Sequence, residues 1–152
     1  MIRIRQATIE DETRVFDLLK QLPSRQRTRE SPLHQQSSIL TFREIVKNDE
    51  RGTVIVAEEG DDMLGVITLS YPTAIRCAGI YTCIEEFIVS EQARGKGVGG
   101  QLLEAAITKA TAKGCQEMQV NNPSELGYPL YIRHDLKDNG KHLKLKLSRQ
   151  AP

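Results

Sequence analysis

Residues 94–100 read Arg-Gly-Lys-Gly-Val-Gly-Gly and stand between a strand-like run and a helix-like one. The preceding run, Ile80 to Val89, is rich in Ile, Val, Thr, Tyr and Phe, residues that pack well on a pleated surface. After it, Val98, Leu102, Leu103, Ala106, Ile107 and Ala110 recur at helical spacing, and Gly114 is placed to end that helix as a C-cap glycine. A glycine-rich loop at this junction aims several unpaired backbone N–H groups outward, with the positive end of a helix dipole behind them. Arg94 and Lys96 add mobile positive charge. The expected guest is a phosphate or pyrophosphate.

Several phosphate motifs could claim such a loop. A P-loop requires Gly-x-x-x-x-Gly-Lys and then Ser or Thr, but Gly95-Lys96 is followed by Gly97 and lacks the upstream glycine. Gly95, Gly97 and Gly100 formally match the dinucleotide fingerprint Gly-x-Gly-x-x-Gly. Five residues, Ser90 to Arg94, separate that match from its strand, and the acid about 20 residues on, Glu117, falls inside an expected strand. A nucleotide-binding regulator therefore rests on the formal match alone.

The remainder of the chain predicts one α+β domain over 1–152 with a mostly antiparallel sheet. Ile2 to Ala7 alternates like a half-buried strand. Thr8 and Asp11 then open a helix carried by Val15, Phe16, Leu18, Leu19 and Leu22, which Pro23 stops. Residues 23–37 read as a polar loop, and Leu40, Ile45 and Val46 as a second short helix ending near Gly52. Thr53 to Ala57 and Met63 to Tyr71 are strands joined by a Gly60-Asp61-Asp62 hairpin turn, with Pro72 closing the second. Gln116 to Val120 reads as a short strand, 124–134 as a short helix, and the Lys/Leu alternation of Lys141 to Leu147 as a terminal strand with one wet face.

A net charge of +1 argues against bulk attraction to nucleic acid or an anionic membrane. Cys77, Cys83 and Cys115 form no Cys-x-x-Cys pair, and His34, His134 and His142 show no zinc-ligand spacing, so free thiols and no metal are expected. The N-terminus lacks the apolar core of a signal peptide, and no apolar run reaches the roughly 18 residues of a membrane span. A cytoplasmic location is the expectation.

The spacing of Arg94, Gly97 and Gly99 resembles the Arg/Gln-x-x-Gly-x-Gly/Ala signature of the GNAT superfamily of N-acetyltransferases. Ile84-Glu85-Glu86-Phe87-Ile88-Val89 is similar to that family's fourth strand, and Glu91 to Arg94 to its connector. Gly127-Tyr128-Pro129-Leu130-Tyr131 resembles a variant of its later helix, while Asp135-Leu136 stands where Gly-Phe is usual. Pro129 is compatible with a short helix only in its first turn.

The resemblance implies a mostly antiparallel sheet of about six or seven strands, about four flanking helices, and splayed fourth and fifth strands. It implies acetyl-CoA as co-substrate and no metal, with the pantetheine arm paired to the backbone of Phe87, Ile88 and Val89. Arg94 and the amides of Gly95, Lys96, Gly97, Val98, Gly99 and Gly100 are then the pyrophosphate site, and Ser124 stands where an Asn is frequent at the helix start.

Acetyl transfer to an amine needs a neutral nucleophile, although an alkyl ammonium has a pKa of about 10.4. A carboxylate can take that proton directly or through water. Glu85 and Glu86, expected on opposite faces of the strand, are the candidates: Glu85 as base, Glu86 contacting substrate or simply solvated. A backbone N–H near Ile88 or Val89 suits an oxyanion hole. By its position in the motif that resembles the family's later helix, Tyr131, with Tyr128 as fallback, is the candidate proton donor to the departing thiolate. Pro23 to Ser37 reads as a lid bearing Arg25, Arg27, Arg29 and Glu30, or as a solvated loop. The acceptor is a small-molecule amine or a peptide amino group, with neither nucleic acid nor membrane as partner and a homodimer left open. The alternative is a catalytically silent acyl-CoA-binding or sensing module on the same fold.

Overall fold

A computed structural model describes residues 1–22, 32–145 and 147. The strands are β1 (Arg3–Gln6), β2 (Gly52–Glu59), β3 (Asp62–Ser70), β4 (Thr73–Ala74), β5 (Gly79–Ile80), β6 (Thr82–Val89) and β7 (Met118–Val120). The helices are α1 (Glu12–Leu19), α2 (Pro32–Lys47), α3 (Val98–Ala112) and α4 (Tyr128–Arg133). Five strands form one sheet in the order β1-β2-β3-β6-β7, and β4 and β5 form a separate two-stranded ladder. Every pairing in the large sheet is antiparallel except β6 with β7, which is parallel. The α+β architecture and the four α-helices match expectation.

The sheet buries both faces. On one, Ile55, Ile67, Leu69 and Ile84 meet Leu102, Leu103 and Ala106 of α3. On the other, Val54, Val56, Val66 and Ile88 meet Val15 and Leu18 of α1 and Phe42 of α2. This explains why the central strands lack a polar alternation: a strand covered on both sides has no wet face. Helix α3 comes close enough to β3 that a Cβ on Gly65 would lie 2.8 Å from Leu102 Cδ1 and 3.0 Å from the Ile88 carbonyl oxygen. Any side chain there would force Leu102 or the Ile88 carbonyl to shift.

Several expected boundaries move. Helix α2 begins at Pro32, so residues 32–37, read as loop, are helical. Proline is well tolerated in a first helical turn, and the run of Gln and Ser that follows has too few apolar residues to show a period. The segment 23–31, with Arg25, Arg27, Arg29 and Glu30 of the expected lid, lies outside the described residues. Strand β7 begins at Met118, so Glu117 precedes it and pairs with Arg76 instead. The terminal strand is not formed: among the described residues, 141–145 and 147 are irregular, with Leu143, Leu145 and Leu147 at least 80% exposed. Alternation alone does not make a strand, because the backbone must also find a sheet edge to pair with.

The first strand and first helix are tied together by one charge network. Asp11 is 1% exposed, yet every acceptor position is used. It accepts from Arg5 Nη1 and Nη2 at 2.7 and 2.9 Å, from Arg14 Nη2 at 2.6 Å and from the Thr8 amide at 2.8 Å. Arg5 also bridges to Glu58 on β2, with contacts of 2.8 Å from both Nε and Nη2. The Arg5 guanidinium holds the Asp11 carboxyl far below the usual carboxylate range despite its burial. Breaking one partner of a buried, hydrogen-bonded pair typically costs 3 kcal/mol or more.

Asp11→Asn should therefore lower stability by about 3 kcal/mol near pH 7, a fall of roughly 6–12 °C in Tm for a chain of this size. Because the folded pKa is depressed, the charge contributes fully above the unfolded Asp value of about 3.9 and is lost as pH falls below it. Thermal unfolding of the two proteins should differ most at neutral pH. The gap should begin to narrow only below about pH 4 and close as the pH approaches the much lower folded value.

Candidate functional site

Strand β6 has two neighbours at its start and one at its end. Thr82, Cys83 and Ile84 pair with Met118, Gln119 and Val120 of β7, and β7 stops there. Strand β6 continues to Val89 beside β3 alone. From residue 85 onward its other edge has no strand partner among the described residues. The Ser90 amide donates to the Leu64 carbonyl at 2.7 Å. Alternation along an antiparallel strand turns the backbone groups of Ile88 toward β3 as well. Those of Phe87 and Val89 face the open edge. Of the three residues expected to offer backbone groups there, Ile88 is thus turned away.

The register of β6 against β3 slips at the same place. Thr68 faces Glu86, but Leu69 faces Ile84, so Glu85 is an extra residue with no opposite number. Side-chain packing records the slip. Ile84 and Phe87, three residues apart, both pack in the α3-side core, which a regular strand forbids. The bulge overturns the expectation that Glu85 and Glu86 point to opposite faces. Both line one open cavity of about 390 Å³ bounded by α1, α2 and the sheet.

Their surroundings differ. Glu86 accepts from Thr68 Oγ1 at 2.8 Å, and the Glu86 amide donates to the same oxygen at 2.9 Å. Burial pushes the Glu86 carboxyl above the usual carboxylate range, with the Thr68 hydrogen bond opposing and the Glu85 charge reinforcing. Glu85 is exposed and accepts from Ser70 Oγ at 2.6 Å. Thr68 and Ser70 were not singled out from sequence. Their signal is present in it as two hydroxyl residues at alternate positions near the end of an otherwise apolar strand. Cys83 lies beside the two acids, 6% exposed, and burial together with Glu85 pushes its thiol up to about 12.

The glycine loop forms a second feature just beyond the open edge. A short 3-10 turn, Glu91–Ala93, leads into it, anchored by the buried Ala93. Gly95 and Gly97 have φ of 82° and 79°, the left-handed region that glycine enters most easily, and a Cβ at either would face open space. Gly97 is the N-cap of α3. The first amide of the helix bonded back to the cap is that of Gln101, which donates to Gly97 at 3.2 Å. The amides of Val98, Gly99 and Gly100 in the first turn are left for a guest, with Arg94 and Lys96 exposed beside them. These donors suit a pyrophosphate by number and charge.

Helix α4 covers the loop from the other side. A Cβ on Gly99 would lie 3.2 Å from Leu130 Cδ2 and 3.6 Å from Val89 Cγ2. Pro129 occupies the first turn of α4, where its missing N–H costs nothing. Ser124 Oγ accepts from the Gly127 amide at 3.0 Å, organising the turn before the helix. Asp135 follows at φ 65°, and the Leu136 amide returns to the Tyr131 carbonyl at 3.0 Å, so the turn survives without glycine. Tyr131 is 6% exposed and stacks edge-on against Phe87 at 6.1 Å between ring centroids. Its hydroxyl has no hydrogen-bond partner among the described residues, and burial pushes it up to about 12. Tyr128 is at the surface, 3.4 Å from Asp138. Among the described residues there is no cluster of three potential metal ligands and no helix long and apolar enough to cross a membrane.

Three kinds of comparison bear on this arrangement. The chain matches the model of the acetyltransferase (GNAT) family over residues 14–131. No curated protein matches it by sequence. Among solved structures it is similar to a transcriptional regulator from Bacillus halodurans C-125, at 26% identity and TM-score 0.82, covering 97% of this chain and 100% of that one. A predicted acetyltransferase with acetyl-CoA from Clostridium acetobutylicum superposes with TM-score 0.79 at 19% identity, over 96% of both chains. Glucosamine-6-phosphate N-acetyltransferase from Arabidopsis thaliana gives TM-score 0.79 at 18% identity, over 97% of this chain and 99% of that one. The open edge of β6, the left-handed glycines at the start of α3 and a family match spanning all of these elements lead to one conclusion: the chain belongs to the GNAT acetyltransferase family.

Proposed function

We propose that the protein transfers the acetyl group of acetyl-CoA to a primary amine, with Glu86 rather than Glu85 as the general base. The observation that carries this reading is the bulge, which sets both carboxylates in one cavity beside the open edge of β6. Bound acetyl-CoA supplies the acetyl thioester. The amides at the start of α3, with Arg94, hold its pyrophosphate, and the outward backbone groups of Phe87 and Val89 hold its arm.

Glu85, exposed and fixed by Ser70, draws in the ammonium form of the acceptor. Glu86 then takes the proton. A carboxyl whose pKa is raised toward the working pH is a better base than an ordinary one, and burial supplies that rise. As the new N–C bond forms and the C–S bond breaks, the Val89 amide meets the negative charge on the acetyl oxygen. Tyr131 gives its proton to the sulfur and is reprotonated, through water, by the second proton leaving the new amide nitrogen, while Glu86 releases the first to solvent. Its hydroxyl is protonated at neutral pH and uncommitted to any other described group.

A second reading has one specific support. The Bacillus halodurans relative is described as a transcriptional regulator, which agrees with a non-catalytic acyl-CoA-binding module. Binding without thiol release from any amine would favour that module.

Acetyl-CoA and CoA at 100 times Kd should each stabilise the protein by about 2.7 kcal/mol in thermal unfolding, and NAD should not. Gly97→Ala forces a side chain into the left-handed region, at a cost of roughly 1–2 kcal/mol, and should weaken CoA binding about tenfold by titration calorimetry. Unchanged affinity would remove the loop from this role.

Thiol release followed against pH tests the base. Glu86→Gln should lower kcat/KM by about 10²–10⁴ at neutral pH and abolish the acidic limb of the profile. Thr68→Val removes a hydrogen bond that favours the charged carboxylate, so that limb should move to higher pH, while Thr68→Ser should leave it in place. A limb lost in Glu85→Gln but kept in Glu86→Gln would reverse the two roles.

A further inference from the structure

We infer that the acceptor is a primary amine carrying a compact apolar body, seated in the cavity between α1, α2 and the sheet. The inference rests on the acetyl-transfer reading above and assigns the substrate class of that same site.

The cavity has a charged end and an apolar wall. Glu85 and Glu86 stand in its lining, Phe16 and Leu19 come from α1, Phe42 and Ile45 from α2, and Leu22 from the turn after α1. Val15, Val54 and Leu69 complete the apolar surface. Its volume of about 390 Å³ is at the small end of ligand sites, which span roughly 300–1,000 Å³.

The polar atoms are largely committed within the protein. Thr68 and Ser70 give their hydroxyl protons to Glu86 and Glu85. Thr41 Oγ1 donates to the Ser37 carbonyl at 2.8 Å. Arg51 is 85% exposed and lies 3.5 Å from Glu44. Among the described residues that leaves the Ser38 hydroxyl and the remaining N–H groups of Arg51, whose side chain is held mostly in solvent, as the uncommitted side-chain donors of the lining. A polyhydroxylated amine would give up its hydration here for few new hydrogen bonds, a desolvation that is not recovered. A polyamine would press further ammonium groups against apolar wall. An anionic acceptor would face two carboxylates. An amine with one cationic end and an aliphatic or aromatic body meets every part of the lining with its own kind.

The test is thiol release from saturating acetyl-CoA with four amines: 2-phenylethylamine, hexylamine, spermidine and glucosamine. We expect kcat/KM for the first two to exceed the others at least 30-fold. Leu19→Ala, which trims a half-buried wall residue, should lower kcat/KM for the two apolar amines about tenfold and leave the KM for acetyl-CoA unchanged. Spermidine or glucosamine turned over as well as the apolar amines would overturn the inference while leaving acetyl transfer intact. So would a Leu19→Ala loss equal for all four. If no amine releases thiol, the acetyl-transfer reading fails by itself. Thermal unfolding of the CoA-loaded protein then decides the cavity: stabilisation by 2-phenylethylamine that Leu19→Ala weakens supports it, and no stabilisation ends it.

Discussion

One extra residue in β6 governs much of what the site can do. Opposite Leu69 the strand carries both Ile84 and Glu85 against a single partner, and everything downstream changes face. Without that residue, one of the two acids would lie in the α3-side core and the other would be alone. With it, two carboxylates share a cavity, at different depths and with different hydroxyl partners. A bulge also sharpens local twist, and the ladder with β7 ends right at this point. The end of the β6–β7 ladder and the pairing of the acids therefore fall at one irregularity.

The bulge has its own support. Thr68 gives Glu86 both a hydroxyl donor and an acceptor for its amide, so a backbone group displaced from the regular ladder is satisfied by a side chain. A hydroxyl is the smallest group able to serve both functions. The other boundary of the site is fixed by contacts without polarity. Gly99, Leu130, Val89 and Phe87 meet where α3, α4 and β6 converge, and Tyr131 is one residue from that junction. The cofactor loop and the proposed proton donor are thereby held by the same packing.

The legible parts of the chain were those set by local rules. The glycine loop could be read because left-handed backbone, helix start and positive charge all fall within seven residues. Pro129 and Asp135 could be judged for the same reason, since first-turn tolerance and positive φ are properties of single residues. The failures were settled by partners distant in sequence. Alternation placed Glu85 and Glu86 on opposite faces because a bulge is written in the register with β3, not in β6 itself. The Lys/Leu run at 141–147 has the period of a strand, yet its described residues pair with neither edge of the sheet. Residues 32–37 carry too few apolar side chains to announce a helix, although Gln and Ser are acceptable in one. The hydroxyls of Thr68 and Ser70 were visible, but nothing in their own segment ties them to the acids across the ladder.

Cys83 is the thiol beside the two carboxylates, and its proton is held so firmly, up to about 12, that it is not a nucleophile near neutrality. On the proposed chemistry this excludes Cys83 as a temporary carrier of the acetyl group. The acyl unit then passes straight from donor to acceptor, and both must occupy the protein together before either product forms. Direct attack by the amine, with this thiol held protonated beside it, corresponds to a sequential kinetic pattern, with intersecting rather than parallel lines when the two substrates are varied.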